Sequence, residues 1–338
     1  MRHFMQSSLN GLTYKAGVAF AALGLVFAGT TAHAVALQSA NPLRVGLFVD
    51  RGCAGGGVLR WAEILDGSPD TELRILKGKD IAGGALKGLD LLVMPGGRGD
   101  WQYQSLGDGG AQAIRDYVAD GGRYYGTCCG IAVALNEDNQ SYKRLRMIPF
   151  KRIIAPNRGG VTATVAFTDK GTDYLGVKGK RKILYHNGPA LQPTEPVPLC
   201  TNVDVLATMD CELAQEGPIK GAMYGTPAAI RATYGKGEML AFTCHPESRA
   251  DSQDIIYSGI RALTGRTIQP SPKKSAAGKK RIGFISGGIG AKDRGVEKYL
   301  QLVRDPAVFV VPLTEEDIKA GRGEVFDRIV KPEDMPVK

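Results

Sequence analysis

The sequence Arg123-Tyr-Tyr-Gly-Thr-Cys-Cys-Gly130 decides the fold. A short strand pattern runs into Gly-x-Cys-x-Gly, and an apolar helix pattern begins at Ile131. Glycines on both sides of a cysteine between a strand and a helix permit a strained turn, which lifts the central side chain above the carboxyl edge of a sheet. The pattern therefore predicts Cys128 as a nucleophile, with its thiolate favoured by the start of the following helix.

Strand and helix patterns alternate before this turn. Continuous apolar runs predict buried strands at 44–49, 72–76 and 89–94, and helical spacing of apolar residues predicts helices over 58–65 and 111–119. Such alternation is typical of an α/β fold, in which helices cover both faces of an open parallel sheet.

The pattern changes after the elbow helix. Apolar and polar residues alternate between 151 and 206, and Gly- and Pro-rich turns separate the alternating stretches. This pattern predicts an antiparallel β insertion. The segments 228–234 and 238–243 are joined by Gly-Lys-Gly and predict a hairpin, and 255–263 predicts a closing helix. We therefore expect the domain to span residues 42–268.

The second strand of that hairpin leads to the predicted partners of Cys128. His245 follows the strand and opens onto the same sheet edge, where it can act as general base. Glu247 can hold the imidazole and stabilise its cation. Backbone N–H groups are also needed where an oxyanion develops, and we predict that Gly97 and Cys129 supply them.

The motifs of this domain resemble a known family. Pro95-Gly-Gly97, Gly126-Thr-Cys-Cys-Gly130 and His245-Pro-Glu247 resemble the three signatures of the class I glutamine amidotransferase superfamily. Asn187-Gly-Pro189 and Tyr234-Gly-Lys-Gly237 resemble the branch known as the N-terminal domain of biotin–protein ligase.

The resemblance covers the whole main domain. It implies a flavodoxin-like sandwich with Cys128, His245 and Glu247 in the triad positions. It does not imply biotin ligation, because we find neither an arginine-rich biotin-loop motif nor a ligase domain in the sequence.

Five further residues are expected to line the pocket: Cys53, Gly96, Arg98, Asn187 and Cys244. Three cysteines depart from the family pattern: Cys53, Cys129 and Cys244. In the family, the residue after the nucleophile, here Cys129, is usually a small residue or Leu. In an oxidising compartment these sulfurs could form a disulfide that silences Cys128. The alternative is that they are inert thiols packed near the site.

The remaining cysteines and the histidines limit the other chemistry of the chain. Cys200 and Cys211 lie close in sequence and could close a small disulfide loop. The sequence has no Cys-x-x-Cys pair and only four histidines, so we expect no structural zinc site and no cofactor.

Residues 1–34 have the pattern of a Sec-type signal peptide. Arg2 and Lys15 precede an apolar run shorter than the roughly 20 residues that span a bilayer, and small residues lead to Ala34. We expect cleavage after Ala34, export to the periplasm and no membrane contact of the mature chain. The formal net charge is +9. Because two of these positive charges lie in the signal and others cluster near 273–281, no nucleic-acid partner is expected.

The C-terminal part of the chain resembles the beginning of the main domain. Residues 269–280 have the composition of a linker. Residues 281–338, the C-terminal half-repeat, match the pattern of 44–95 in spacing and stop where an elbow strand should begin. We interpret them as a truncated internal duplication, a β-α-β unit that must dock on the main domain or on another chain, including a second copy in a homo-oligomer.

Three functions are compatible with these patterns. The first is hydrolysis of a small-molecule or peptide amide, in which Cys128 forms a thioester and His245 activates water. The second is a non-catalytic binding module that uses the same pocket, and the third is a thiol-redox role. A complete amidotransferase is not expected, because the sequence contains no synthetase domain and an exported protein lacks ATP.

Overall fold

The first half of the main domain alternates strands and helices, as the sequence predicts. Its elements are β1 (Leu43–Phe48), α1 (Gly55–Asp66), β2 (Thr71–Leu76), α2 (Gly78–Ala82), β3 (Leu91–Met94), α3 (Gly99–Ala119), β4 (Arg123–Thr127) and α4 (Cys129–Ala134). The computed structural model describes residues 41–137, 143–153, 159–215, 220–270, 275–287, 289–291 and 295–335. The predicted signal peptide and part of the predicted linker lie outside these residues.

The rest of the main domain contains mostly strands. Its elements are β5 (Phe150–Arg152), β6 (Gly160–Phe167), α5 (Asp169–Leu175), β7 (Lys180–His186), β8 (Leu191–Pro193), β9 (Cys200–Met209), β10 (Pro227–Tyr234), β11 (Gly237–Phe242) and α6 (Gln253–Thr264). A 3-10 turn at Pro246–Ser248 separates β11 from α6.

Nine of these strands form one sheet, in the order β2-β1-β3-β4-β11-β10-β9-β6-β7. The first five are parallel, which confirms the predicted α/β fold with a parallel core. From β11 to β7 every pairing is antiparallel. The predicted antiparallel insertion therefore extends the main sheet, while β5 and β8 form a separate two-stranded ribbon.

Strand β4 shows that both faces of the sheet are covered. Tyr124 and Tyr125 are fully buried, although neighbouring strand residues point to opposite faces. Tyr125 packs edge-on against Trp61 of α1, with ring centroids 5.0 Å apart. Tyr124 donates a hydrogen bond to the carbonyl of Gly130 in α4.

One helix is longer than the sequence pattern predicts. The expected helix at 111–119 begins twelve residues earlier, at Gly99, and has a break at Gly107, where φ is 62° and ψ is 178°. The Gly-Asp-Gly-Gly sequence at 107–110 has the composition of a turn, so the sequence pattern does not predict that a helical segment precedes it.

The C-terminal half-repeat forms a second sheet. Its elements are β12 (Lys280–Ile285), α7 (Val296–Arg304), β13 (Val308–Leu313), α8 (Glu315–Lys319) and β14 (Arg328–Val330). The strands are parallel, in the order β13-β12-β14. The described residues of both sheets belong to one compact unit.

The two sheets share their register. Leu43 pairs with Thr71 and Lys280 with Val308, a separation of 28 residues in each case. The aspartate that precedes the third strand, β3 in one sheet and β14 in the other, also contacts the first strand in the same way. Asp90 accepts a hydrogen bond from the backbone N–H of Arg44, and Asp327 accepts one from that of Arg281, 46 residues apart in both cases.

Candidate functional site

Cys128 occupies a strained turn between β4 and α4. Its φ is 52° and its ψ is −102°, a conformation that residues with side chains rarely adopt. The backbone N–H of Cys128 donates a 2.7 Å hydrogen bond to the carbonyl of Phe242, at the end of β11. The turn therefore presents the thiol at the carboxyl edge of the sheet, directly beside the strand that leads to His245.

His245 and Glu247 lie together at the end of β11. Nδ1 of His245 is 2.8 Å from Oε1 of Glu247, and both side chains are buried. The backbone N–H of His245 donates to the carbonyl of Leu184 at 2.8 Å, so β7, the edge strand of the sheet, holds the backbone of the histidine after β11 has ended. The Cys128 thiol donates a 3.6 Å hydrogen bond to the carbonyl of His186. The histidine ring and Cys128 are neighbours, because a Cβ added to Gly96 would be 2.6 Å from Cε1 of His245 and 3.3 Å from Cβ of Cys128.

The charge state of His245 depends on its two neighbours. Burial by itself lowers the pKa of His245, because it penalises the cation. Interactions with Cys128 and Glu247 raise the pKa of His245, and their combined effect exceeds that of burial. The pKa of His245 therefore lies well above its usual value. The site favours an imidazolium next to the sulfur.

A chain of hydrogen bonds supports Glu247. The indole Nε1–H of Trp61 donates to Oγ1 of Thr127 at 3.2 Å, and the Thr127 hydroxyl donates to Oε1 of Glu247 at 3.3 Å. All three side chains are fully buried. No motif in the sequence singles out Trp61 or Thr127 for this role.

The two residues predicted to stabilise an oxyanion both line the same cavity as Cys128 and have free backbone amides among the described residues. Those of Gly97 and Cys129 donate no hydrogen bond within the described part of the chain. Gly97 has a φ of 145°, and a Cβ at this position would be 1.9 Å from the carbonyl oxygen of Gly52. Only glycine fits this turn, which places its amide next to the elbow.

A cavity of about 870 Å³ opens above these residues. Of the predicted site residues, Gly97, Arg98, Cys128, Cys129, Asn187 and His245 line it. Gly96 lies behind the histidine, where an added Cβ would be 2.6 Å from Cε1 of His245. Another cavity, of about 680 Å³, lies by Asp90 and Arg123 and contains none of these residues.

The expectation that Cys53 and Cys244 line the cavity is wrong. Both are fully buried. Cys244 belongs to the core because neighbouring residues at a strand end point in opposite directions, and His245 points to the cavity. The Cys53 thiol lies 3.5 Å from the carbonyl oxygen of Phe48, so it faces the sheet.

The six cysteines are all free. The predicted loop between Cys200 and Cys211 is wrong, because Cys200 begins the ten-residue strand β9 and Cys211 follows its end. An extended strand of this length separates them by about 30 Å, far beyond the reach of a disulfide. Burial raises the pKa of Cys129 and of Cys244, so both remain thiols near neutral pH.

Arg144, which is buried, and Arg152, which is half-buried, lie in the cavity wall, although no sequence motif predicts them. The Arg144 side chain is only 2% exposed, and its Nε lies 3.3 Å from Oε1 of Glu137. Arg152 shares the same carboxylate, at 3.9 Å. Arg98 pairs with Asp100 and stacks on the ring of Trp101. The main-domain side of the cavity is therefore rich in guanidinium groups.

Two searches within the described residues were negative. No group of three or more His, Cys, Asp or Glu side chains is arranged to hold a metal ion there. No helix among these residues is both long and apolar enough to span a membrane.

A family model confirms the resemblance to the biotin–protein ligase branch over part of the main domain. The family model described as "Biotin-protein ligase, N terminal" matches residues 86–136, which include the Pro-Gly-Gly turn and the elbow. The described residues have the architecture that the resemblance implies, a large central sheet with a parallel half and helices on both faces. No curated protein matches it in sequence.

Solved structures with a similar arrangement are distant in sequence. A putative GMP synthase subunit from Thermoplasma acidophilum is 16% identical, with 67% of this chain and 96% of that chain covered and a TM-score of 0.45. PurLQS from Thermotoga maritima is 13% identical, with 66% and 99% covered and a TM-score of 0.44. A β-galactosidase from Bacillus circulans sp. alkalophilus is 13% identical, with 67% and 31% covered and a TM-score of 0.44.

Proposed function

We propose that the chain is an exported cysteine hydrolase, in which Cys128 cleaves an amide through a thioester. The observation that best supports this proposal is the row of thiol, imidazole and carboxylate formed by Cys128, His245 and Glu247. A buried carboxylate on Nδ1 holds the imidazole in the tautomer that serves the thiol. The row lies at the floor of a cavity large enough for a small molecule or a short peptide.

In the first half of the proposed reaction, the Cys128 thiolate attacks the carbonyl carbon of the amide. The carbonyl π electrons move to oxygen, where the amides of Gly97 and Cys129 stabilise the negative charge. The C–N bond then breaks as the His245 imidazolium protonates the departing nitrogen. The products of this half are an amine or ammonia and a thioester on Cys128.

In the second half, neutral His245 removes a proton from water, and the resulting hydroxide attacks the thioester. The C–S bond breaks, the thiolate of Cys128 returns and a carboxylic acid leaves. Glu247 stabilises the imidazolium each time it forms. The cycle consumes one water and needs no ATP, which agrees with the proposed export.

Export to the periplasm rests on the sequence of residues 1–34. Expression of the full-length chain in a bacterium, followed by mass spectrometry of the protein released from the periplasm, tests it. A mature N-terminus directly after Ala34 supports export, and an intact N-terminus in the cytoplasmic fraction contradicts it.

The catalytic proposal is tested with a panel of amides and short peptides, by measuring ammonia or amine release. We expect turnover by the wild type, none by Cys128→Ser, and unchanged turnover by Cys211→Ser, a matched change at a half-buried cysteine outside the cavity. Binding of an amide without product would favour a non-catalytic binding module.

Alkylation by iodoacetamide under reducing conditions, followed by peptide mapping, tests the nucleophile without a known substrate. We expect selective labelling of Cys128 at neutral pH and loss of that selectivity in His245→Ala, because the imidazolium stabilises the thiolate. Equal labelling of Cys128 and Cys200, a half-buried cysteine outside the site, would contradict the proposal.

A further inference from the structure

The cavity above Cys128 has a second wall, which comes from the C-terminal half-repeat. The turns after β12 and β13, at residues 285–287 and 313–315, line the same cavity as Cys128 and His245. Ligands of parallel α/β sheets bind beyond the carboxyl ends of the strands. Here the carboxyl edges of two sheets meet at a single cavity.

The turn after β12 lies directly on the first glycine turn of the main domain. A Cβ added to Gly55 would be 1.6 Å from Oγ of Ser286, so the serine hydroxyl occupies the space that a side chain would need. The backbone N–H of Gly52 donates a 3.0 Å hydrogen bond to the carbonyl of Ile289. The absence of side chains in this turn lets the half-repeat approach the site.

Helix α7 holds the half-repeat on helix α1. The Tyr299 ring is fully buried, and its hydroxyl donates to Oε2 of Glu63 at 2.9 Å. One helical turn further along, Arg304 forms an ion pair with Asp66. These contacts keep the second wall in place when the cavity is empty.

The shared register and the matching Asp90 and Asp327 contacts support an internal duplication. The described residues of the half-repeat supply a binding edge and contain no cysteine, and the main domain supplies the proposed reactive groups.

We propose that the half-repeat determines which substrates reach Cys128, a specificity role that rests on the proposed hydrolase function. Ser286 is half-buried inside the cavity, whereas Glu315 is exposed at its rim, where its carboxylate accepts a 3.0 Å hydrogen bond from Nζ of Lys331. Glu315 is the acidic group that the half-repeat contributes to the cavity lining. Its carboxylate offsets the charge of Lys331, so its replacement by a cation would make the entrance more attractive to anionic molecules.

Alkylation of Cys128 in the full chain tests this role without a known substrate. The rates with anionic iodoacetate and neutral iodoacetamide are compared in the wild type, in Glu315→Lys and in the control Glu324→Lys. Glu324 is an exposed residue of the same half-repeat that does not line the cavity. We expect Glu315→Lys to raise the iodoacetate to iodoacetamide ratio by about threefold at low salt, and high salt to reduce this effect.

A ratio that changes equally in Glu315→Lys and Glu324→Lys would overturn the specificity role while leaving the hydrolase proposal intact. A Cys128 that reacts with neither reagent in any variant would overturn both. Because Glu315 and Glu324 are exposed, both variants are expected to fold, and circular dichroism checks this.

A second measurement tests whether the wall limits access by size. The double variant Tyr299→Phe/Arg304→Ala removes the two contacts to α1, and Arg322→Ala, which breaks an exposed pair with Asp317, is its control. We expect the double variant to speed labelling of Cys128 by a bulky dye-maleimide at least twofold more than labelling by iodoacetamide. Equal acceleration of both reagents would overturn the role of the half-repeat as a wall.

Discussion

Nδ1 of His245 lies 2.8 Å from Oε1 of Glu247, and the carboxylate is fully buried. A buried carboxylate next to an imidazole stabilises the cation that forms each time the histidine accepts a proton. The Oε2 atom of Glu247 has no hydrogen-bond partner among the described residues, so the interaction with His245 and Thr127 is concentrated on one oxygen.

The variant Glu247→Gln tests this interaction. We expect kcat/KM for amide hydrolysis to fall by about a hundredfold or more, because the amide cannot stabilise the imidazolium as a carboxylate does. The control Thr127→Val removes the 3.3 Å hydrogen bond to the same oxygen and the acceptor of the Trp61 indole, and it is expected to cost about tenfold or less. Equal losses in the two variants would contradict a direct role for the charge of Glu247.

The raised pKa of His245 predicts its behaviour on titration. The imidazole should keep its proton above pH 6.5, its ordinary midpoint, and lose it only at higher pH. Because the folded-state pKa is raised, the stabilisation from this cation is complete below about pH 6.5 and disappears as the pH rises through the folded-state pKa. NMR of the histidine ring protons measures the midpoint.

Cys128→Ser provides the comparison for that titration. Cys128 is one of the two groups that raise the pKa of His245, so its replacement should lower the NMR midpoint. Cys244→Ser, at a buried cysteine outside the cavity, is the matched change and should have less effect. A midpoint that stays the same in Cys128→Ser would show that thiol and imidazole do not interact.

Gly96→Ala tests the fit of the histidine ring. The new Cβ would lie 2.6 Å from Cε1 of His245 and 3.3 Å from Cβ of Cys128, so the ring must move. We expect a loss in kcat of about a hundredfold with little change in the melting temperature, since the displacement affects geometry more than packing. Gly109→Ala, which meets only Ala82 at an ordinary 3.8 Å, is the control and should keep full activity.

Arg144→Met is expected to destabilise the fold. The Arg144 side chain is almost fully buried and pairs with Glu137, so its removal leaves a partly buried carboxylate. Because Arg152 still contacts the same carboxylate, the loss is expected to be about 2 kcal/mol, measured as the free energy of unfolding in urea. The double variant Arg144→Met/Glu137→Gln should recover much of that loss, and a double variant as unstable as the single one would contradict the ion-pair explanation.

The sequence predicts the parts of the site that depend on short motifs. The elbow at Cys128 and the position of His245 follow from strand-turn patterns, because a parallel sheet brings the carboxyl ends of its strands to one edge. The turn at Gly97 is predictable for the same reason. The hydrogen-bonded pair of His245 and Glu247 needs only two residues of chain between its members.

The sequence does not predict the parts that depend on distant packing. Arg144 comes from an irregular segment after α4, and no local pattern tells a buried arginine from a solvated one. The wrong expectation for Cys200 and Cys211 has a related cause. A separation of eleven residues suggests proximity in a loop, but β9 is extended and carries the two sulfurs to opposite ends.

The hydrogen bond from the Cys128 amide to the carbonyl of Phe242 has a consequence for the dynamics of the chain. Thr127 and Phe242 are paired in the ladder between β4 and β11, so Cys128 and His245 follow adjacent central strands. Amide protons in such a ladder exchange with solvent through global opening of a domain. Deuterium uptake at β4 and β11 should therefore be among the slowest in the chain, and the two groups should separate only when the whole domain melts.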